Sequence, residues 1–206
     1  VLTHIGHSEK LFIMKRLLLI LILTINFQSL TKADDIRDFE IEGMSVGDSA
    51  LNFVDKITLD SNNSYMWEDK KYGSYAAESN GNDIYDYWQI FYLDNDQNYI
   101  IQYISGFNYI TNLEECNETK KNIVFEIKNL IPDSKFTDFG KVSHPGDSTG
   151  KSKAYKVQFK LKDKSEIMVT CTVFSKEYKE TWNLGNTLSV SAHSKTFSNY
   201  LLNEAY

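Results

Sequence analysis

Histidine, cysteine, proline and glycine are all scarce in this chain of 206 residues. It has four His, two Cys, two Pro and ten Gly, and its 28 acidic side chains outnumber 22 Lys and Arg. So few glycines and prolines exclude a collagen-like or linker-like chain. An aromatic content of 14% excludes a disordered one. The net charge of −6 argues against a protein whose main role is to bind nucleic acid or anionic lipid.

The N-terminal segment has the pattern of a secretory signal peptide. Lys15 and Arg16 precede the apolar residues 17–23, and residues 31–33 place small side chains before a cleavage point. The pattern predicts an upstream extension and signal peptide over residues 1–33, with Met14 as the start and cleavage after Ala33. We therefore expect a periplasmic or secreted protein. The alternative is an uncleaved membrane anchor, although the apolar run is shorter than the roughly 20 residues of a membrane span.

Cleavage would leave residues 34–206, with 18 basic and 27 acidic side chains. Arg37 would then be the one arginine. Because arginine is favoured for forked recognition of phosphate and carboxylate, we expect no nucleic acid and no nucleotide among the partners. The length predicts a single domain, or two sub-halves at 34–110 and 111–206 that share a sheet.

The first sub-half combines a short helix with aromatic strands. Asp48 is a suitable N-cap for a helix over residues 48–56. Residues 84–93 and 99–110 are rich in Tyr, Ile, Phe and Trp, and the polar residues 94–98 between them predict a hairpin turn. In the second strand, strict alternation places Ile101 and Tyr103 on the same face.

The second sub-half begins with an amphipathic helix and continues with a hairpin. Thr111 and Glu114 form a capping box for a helix that Pro132 ends. In residues 154–162 apolar side chains alternate with Lys and Gln, and a turn leads to a partner strand around residues 167–173. The order of elements predicts an α+β fold: an antiparallel sheet, or two helix-plus-meander halves, with helices packed on one side.

The two cysteines lie on surfaces that we expect to face each other. Cys116 is on the apolar stripe of the long helix, and Cys171 is on the apolar face of a strand. An exported chain meets an oxidising compartment, so we predict a Cys116–Cys171 disulfide. Two buried free thiols and a catalytic cysteine are the alternatives.

Residues 146–152 superficially resemble a phosphate-binding loop. Pro145 stands where that motif requires its first glycine, and a strand rather than a helix follows. A plain connecting loop is the simplest interpretation. Since loops often carry function, a small polar ligand remains an alternative, with four candidate ligand-loop residues: His144, Asp147, Ser148 and Ser152.

Few residues suggest catalysis or metal binding. After cleavage two histidines remain, His144 and His193, and neither His nor Cys has the spacing of a zinc site. We therefore expect no metal and no cofactor, and we interpret His193 as an exposed polar residue. Residues 146–150 have the letters G-x-S-x-G, but a strand rather than a helix follows them, so they lack the strand-to-helix setting of the nucleophile elbow in a Ser-His-Asp triad. Asp86 is the one candidate for a general acid among apolar groups, with a solvated carboxylate as its alternative.

Aromatic residues are concentrated in residues 65–109. They predict core packing and tyrosine-rich sheet faces, or else a platform for a protein, glycan or hydrophobic ligand.

Three segments resemble a family of small exported bacterial proteins without assigned function: residues 38–49, residues 144–152 and residues 168–171. This resemblance implies no catalytic residues. The stretch Gly43-Met44-Ser45, with Asp48-Ser49, also resembles the start of helix-plus-sheet modules of the β-lactamase-inhibitor and outer-membrane assembly lipoprotein type. In this chain residues 56–59 stand where those modules close the helix with Leu-Gly-x-Pro.

Together these features predict an exported binding or accessory module without catalytic activity. Its partner would be a protein, a glycan or a small ligand. The alternative is a small exported hydrolase that uses acidic residues near the 144–152 loop.

Overall fold

The structure, a computed structural model, describes residues 35–79 and 83–205. Nine strands lie in these ranges: β1 (Glu40–Ile41), β2 (Met44–Ser45), β3 (Tyr72–Glu78), β4 (Tyr87–Leu93), β5 (Ile101–Tyr109), β6 (Lys135–Ser143), β7 (Lys153–Lys160), β8 (Glu166–Val173) and β9 (Thr187–His193). Four α-helices accompany them in the same ranges: α1 (Lys56–Ser61), α2 (Leu113–Leu130), α3 (Lys176–Trp182) and α4 (Lys195–Asn203). The extension, signal peptide and cleavage point that the sequence predicts over residues 1–33 lie outside the described residues.

Seven of these strands form one antiparallel sheet in the order β3-β4-β5-β9-β8-β7-β6. The remaining two, β1 and β2, pair with each other. Residues 34–110 supply β3, β4 and β5, and residues 111–206 supply the other four strands of the sheet. The two groups join where β5 pairs with β9. The structure thus confirms the α+β fold and the antiparallel sheet.

Helix α2 forms where the amphipathic stripe predicts it, and it packs on β8 and β9. Its N-cap is Asn112, one residue after the expected Thr111, because the Asn112 Oδ1 atom accepts a 2.8 Å hydrogen bond from the Glu115 amide. The last helical residue, Leu130, lies two residues before Pro132. The capping box was therefore misplaced by one residue, whereas the helix itself is confirmed.

The main core lies between α2 and the sheet. Its fully buried members include the following residues of β5, β7, β8 and β9: Ile104, Phe159, Ile167, Val169 and Ala192. Cys116 of α2 and Cys171 of β8 form a disulfide across this core, with Cα atoms 6.1 Å apart. The predicted bridge is confirmed, and it joins the helix to the sheet.

Helix α4 lies on the face of the sheet opposite α2, so the helices do not all pack on one side as the sequence predicts. Tyr103 points away from Ile104 and the main core, because neighbouring strand residues face opposite sides. Phe197 of α4 packs on Phe91 and Tyr103, with ring centroids 5.4 and 5.2 Å apart. We call this second buried group the α4 aromatic cluster: Trp67, Tyr72, Phe91, Tyr103, Phe197 and Tyr200.

The single helix expected over residues 48–56 is wrong. The structure has a short 3-10 turn, Ala50–Asn52, capped by Ser49, and then α1 with Asp55 as its own N-cap. Asp48 does not cap a helix, because its carboxylate accepts a hydrogen bond from the Ser45 amide at 2.8 Å. The chain therefore turns twice here instead of once.

A bulge in β5 overturns the expectation that Ile101 and Tyr103 share a face. Phe91 pairs with Tyr103, but the next residue of β4, Tyr92, pairs with Ile101. The extra residue on β5 reverses the alternation. Ile101 consequently enters the main core, while Tyr103 joins the α4 aromatic cluster.

Candidate ligand-binding groove

An open groove of about 450 Å³ lies at the end of the sheet where β4 turns into β5. Helix α1 contributes one wall and the turn contributes the other. The groove is lined by three tyrosines, by amide and carboxylate side chains and by one lysine and one leucine: Lys56, Asp60, Asn63, Tyr65, Tyr92, Leu93, Asp94, Asn95, Asp96, Gln97 and Tyr99. Its volume is within the range of small-molecule sites.

The α1 wall is a connected hydrogen-bond group. Lys56 and Asp60 are one helical turn apart, and the Lys56 Nζ atom lies 2.7 Å from both Asp60 Oδ2 and Tyr99 Oη. The Tyr99 hydroxyl donates in turn to Asp60 Oδ1. The Lys56 ammonium group holds the pKa of Asp60 below its usual range, and Asp60 raises the pKa of Lys56. Both side chains therefore stay charged at neutral pH.

The β4–β5 turn fixes the position of Tyr99. Tyr99 has a φ of +49°, which is rare for a bulky residue and marks a constrained backbone. Asp96 accepts hydrogen bonds from the amides on either side of Tyr99, Asn98 at 3.0 Å and Ile100 at 2.9 Å. The turn thereby directs the tyrosine towards α1.

The other wall is a chain of hydrogen bonds that starts at Asn63, and it meets the α1 wall where the Tyr92 and Tyr99 ring centroids lie 5.1 Å apart. Asn63 Oδ1 accepts from the Tyr92 hydroxyl at 3.3 Å, and Asn63 Nδ2 donates to Tyr65 Oη at 3.0 Å. The Tyr65 hydroxyl donates to Asp94 Oδ1 at 2.8 Å. This bond to Asp94 raises the pKa of Tyr65, and burial raises the pKa of Tyr92 to about 12. Tyr65 and Tyr92 thus present neutral hydroxyls on positioned rings.

The groove belongs to the acidic part of the chain. Residues 34–110 contain 15 acidic and 4 basic side chains, whereas residues 111–206 contain 12 acidic and 14 basic ones. The net charge of the whole chain does not reveal this difference between the two parts. It makes the surroundings of the groove electronegative at long range.

The structure brings three of the four predicted ligand-loop residues together through hydrogen bonds within the loop. Asp147 accepts from the Thr149 amide at 2.9 Å and from the Ser152 amide at 2.8 Å, one bond to each carboxylate oxygen. Hydrogen bonds from the Ser152 and Thr149 side chains, ahead of those from the two amides, hold the pKa of Asp147 well below its usual range. The His144 amide bonds to the Ser152 carbonyl at 3.0 Å, while Ser148 is exposed. These contacts brace the loop, and its ligand role stays a prediction.

Ser152 and His144 also contact residues at the start of α3 and just before it. The Ser152 hydroxyl is fully buried and accepts a 2.9 Å hydrogen bond from the Ser175 amide. The His144 ring packs on Phe174 and Tyr178, with centroids 5.0 and 5.8 Å apart. Burial lowers the pKa of His144. The histidine is consequently a packed, neutral side chain.

The expectation that His193 is exposed is wrong. It is 2% exposed, beneath Phe197 of α4, and burial lowers its pKa to about 3. Its Nε2 atom lies 2.9 Å from the Ser191 hydroxyl, while Nδ1 has no partner among the described residues. A triad requires a carboxylate at Nδ1, so this pair lacks the orienting acid.

Two candidates from the sequence remain to be placed: Asp86 and the aromatic residues of 65–109. Asp86 is exposed at the end of the sheet, where its Oδ2 atom accepts a 2.7 Å hydrogen bond from the Tyr109 amide. The interpretation of Asp86 as a solvated carboxylate is therefore confirmed, and it is not a carboxyl group among apolar neighbours. The aromatic residues of 65–109 divide between the main core, the α4 aromatic cluster, the groove and an exposed group at Tyr109.

In the described ranges, no three His, Cys, Asp or Glu side chains are placed to hold a metal ion. The helices of the same ranges include none with the length and apolar character that crossing a membrane requires. Comparison of the chain with protein-family models, curated proteins and solved structures gave no match. The two family resemblances therefore stay predictions.

Proposed function

We propose that this chain is an exported binding or accessory module without catalytic activity, and that the groove beside α1 holds its ligand. The observation that carries the proposal is that both walls are organised by their own hydrogen bonds. Asp60 and Lys56 fix Tyr99 on one side, and Asn63 and Asp94 fix Tyr65 on the other. Preorganised side chains lose little conformational entropy when a ligand binds.

Export is the second part of the proposal. The signal-peptide pattern before Ala33 supports it, and so does the disulfide, because such bonds persist in oxidising compartments. N-terminal sequencing of the protein recovered from the periplasm or medium tests this part. A mature N-terminus at Asp34 is expected, whereas a chain that retains Met14 would contradict cleavage.

Native mass spectrometry of the purified mature protein, incubated with a library of small polar metabolites, tests ligand binding. Tyr65→Arg would fill the groove with a cation that can pair with Asp94. Phe125→Arg places the same side chain on α2, where Phe125 is 67% exposed. We expect the wild type and Phe125→Arg to retain the same small molecule and Tyr65→Arg to lose it. Equal retention by all three proteins, or none by the wild type, would contradict the proposal.

A further inference from the structure

We propose that the ligand of this groove is an organic cation with primary ammonium groups, such as a short linear diamine. This inference rests on the proposed function, because it names the chemical class that the same groove would bind.

The first argument is the balance of hydrogen-bond donors and acceptors. The Lys56 ammonium group already donates to Asp60 and Tyr99, and the hydroxyl of each lining tyrosine donates to a neighbour. Each carboxylate oxygen has more than one lone pair, so Asp60 and Asp94 keep acceptor capacity after these bonds. A ligand that brings donors complements these carboxylates, and an ammonium group has three donors and no acceptor.

The second argument is that the chain places its own ammonium groups beside these tyrosines. Lys56 Nζ lies 5.0 Å from the ring centroid of Tyr99, and Lys70 Nζ lies 5.4 Å from that of Tyr65. The distance from Lys70 to Tyr65 is within the range of cation–π attraction, whereas Lys56 lies at the hydroxyl edge of Tyr99, because it donates to that hydroxyl. Tyr65 thus already accommodates a primary amine against its ring, and the α1 wall accommodates one beside the Asp60 carboxylate.

The third argument separates an organic cation from a metal ion. The carboxylates of the described residues do not converge in a set that could hold a metal, and tyrosine rings and Leu93 line the same groove. Alkyl segments pack on such apolar surface while ammonium groups reach the acceptors. Long-range attraction from the acidic residues of 34–110 also favours a positively charged ligand.

Isothermal titration calorimetry with 1,4-diaminobutane and with 1,4-butanediol tests the inference directly, because the two probes share a carbon chain and differ in charge. We expect the diamine to bind the wild-type mature protein, more weakly as salt increases, and the diol not to bind. Tyr65→Leu removes a ring and should weaken diamine binding about two- to fivefold. Tyr65→Phe keeps the ring and should stay closer to the wild type.

Asp94→Asn tests the carboxylate, since the amide can still accept the Tyr65 hydroxyl. We expect about fivefold weaker diamine binding from the loss of one nearby charge. Glu40→Gln is the matched control, because it removes one negative charge from an exposed position on β1 outside the groove. Equal weakening by both variants would overturn a specific cation site.

The other outcomes separate this inference from the proposed function. If the mature protein binds a neutral molecule in the groove but not the diamine, the cation class is wrong and the binding module stands. If neither the diamine nor any member of the small-molecule library binds, both proposals are overturned.

Discussion

Removal of the disulfide should destabilise the fold by an amount that follows from its position in the chain. Cys116 and Cys171 are separated by 55 residues. In the chain-entropy description, closing a loop of this length removes unfolded-state entropy worth about 4 kcal/mol. That is a large fraction of the roughly 5–15 kcal/mol that stabilises a typical domain. We therefore expect the reduced protein to be much easier to unfold.

Urea unfolding of the oxidised and the reduced protein, followed by circular dichroism, measures this difference. With a typical slope of about 2 kcal/mol per molar urea, the midpoint should fall by about 2 M on reduction. Both cysteines are almost completely buried, at 1% and 0% exposure, so reduction should need denaturant and thiol labelling of the native protein should be negligible. The reduced protein is prepared by reduction in denaturant followed by refolding. It keeps both cysteine side chains, so it differs from the oxidised protein only in the disulfide bond. Identical midpoints, or two free thiols in the unreduced protein, would refute the reasoning.

Three further changes test other parts of the structure. Asp147→Ala should lower the thermal midpoint in calorimetry without touching the groove. Because the pKa of Asp147 is lowered in the folded state, the contribution of this carboxylate to folding stability should be lost as pH falls below the usual aspartate range. An unchanged thermal midpoint in Asp147→Ala would contradict the bracing role. Gly106→Ala should cost about 1–3 kcal/mol in urea unfolding, because a Cβ atom would overlap the Tyr85 ring; a neutral result would mean that the ring is not packed there. His193, whose pKa burial lowers to about 3, stays neutral when folded but protonates when unfolded, so stability should fall by up to about 1.4 kcal/mol per pH unit as pH drops below about 6.5. The lowered pKa of His144 acts in the same direction. His193→Phe should flatten this slope in urea titrations, and an unaltered slope would contradict the burial of His193.

The parts of the fold that the sequence revealed are those with unbroken periodicity. Alternation in β7 and the stripe on α2 each identified a buried face, and together they placed Cys116 against Cys171. Strand β6 was missed, because it is a mostly exposed edge strand whose pairing shifts between Asp138 and Gly140. Such a bulge breaks the alternation of apolar and polar residues from which a strand is predicted.

The groove could not be predicted for a different reason. Its walls combine α1 with a turn more than 30 residues further along the chain. The helix expected over residues 48–56 ends at Lys56, where α1 begins, so α1 itself was not predicted. The clearest sequence signal for the groove is the concentration of Asp and Asn in residues 94–98 beside Tyr99, and this pattern by itself predicts only a turn. Those residues do form the turn, but the turn also directs Tyr99 towards Lys56.

An amide-resolved NMR titration of the isotope-labelled mature protein with 1,4-diaminobutane tests the central claim most directly. If the groove is the binding site, the signals that move should be those of Tyr65 and of residues 94–100, while the amides of residues 144–152 stay in place. Shifts confined to the 144–152 loop, or shifts spread evenly over the sheet, would contradict the assignment of the groove as the site.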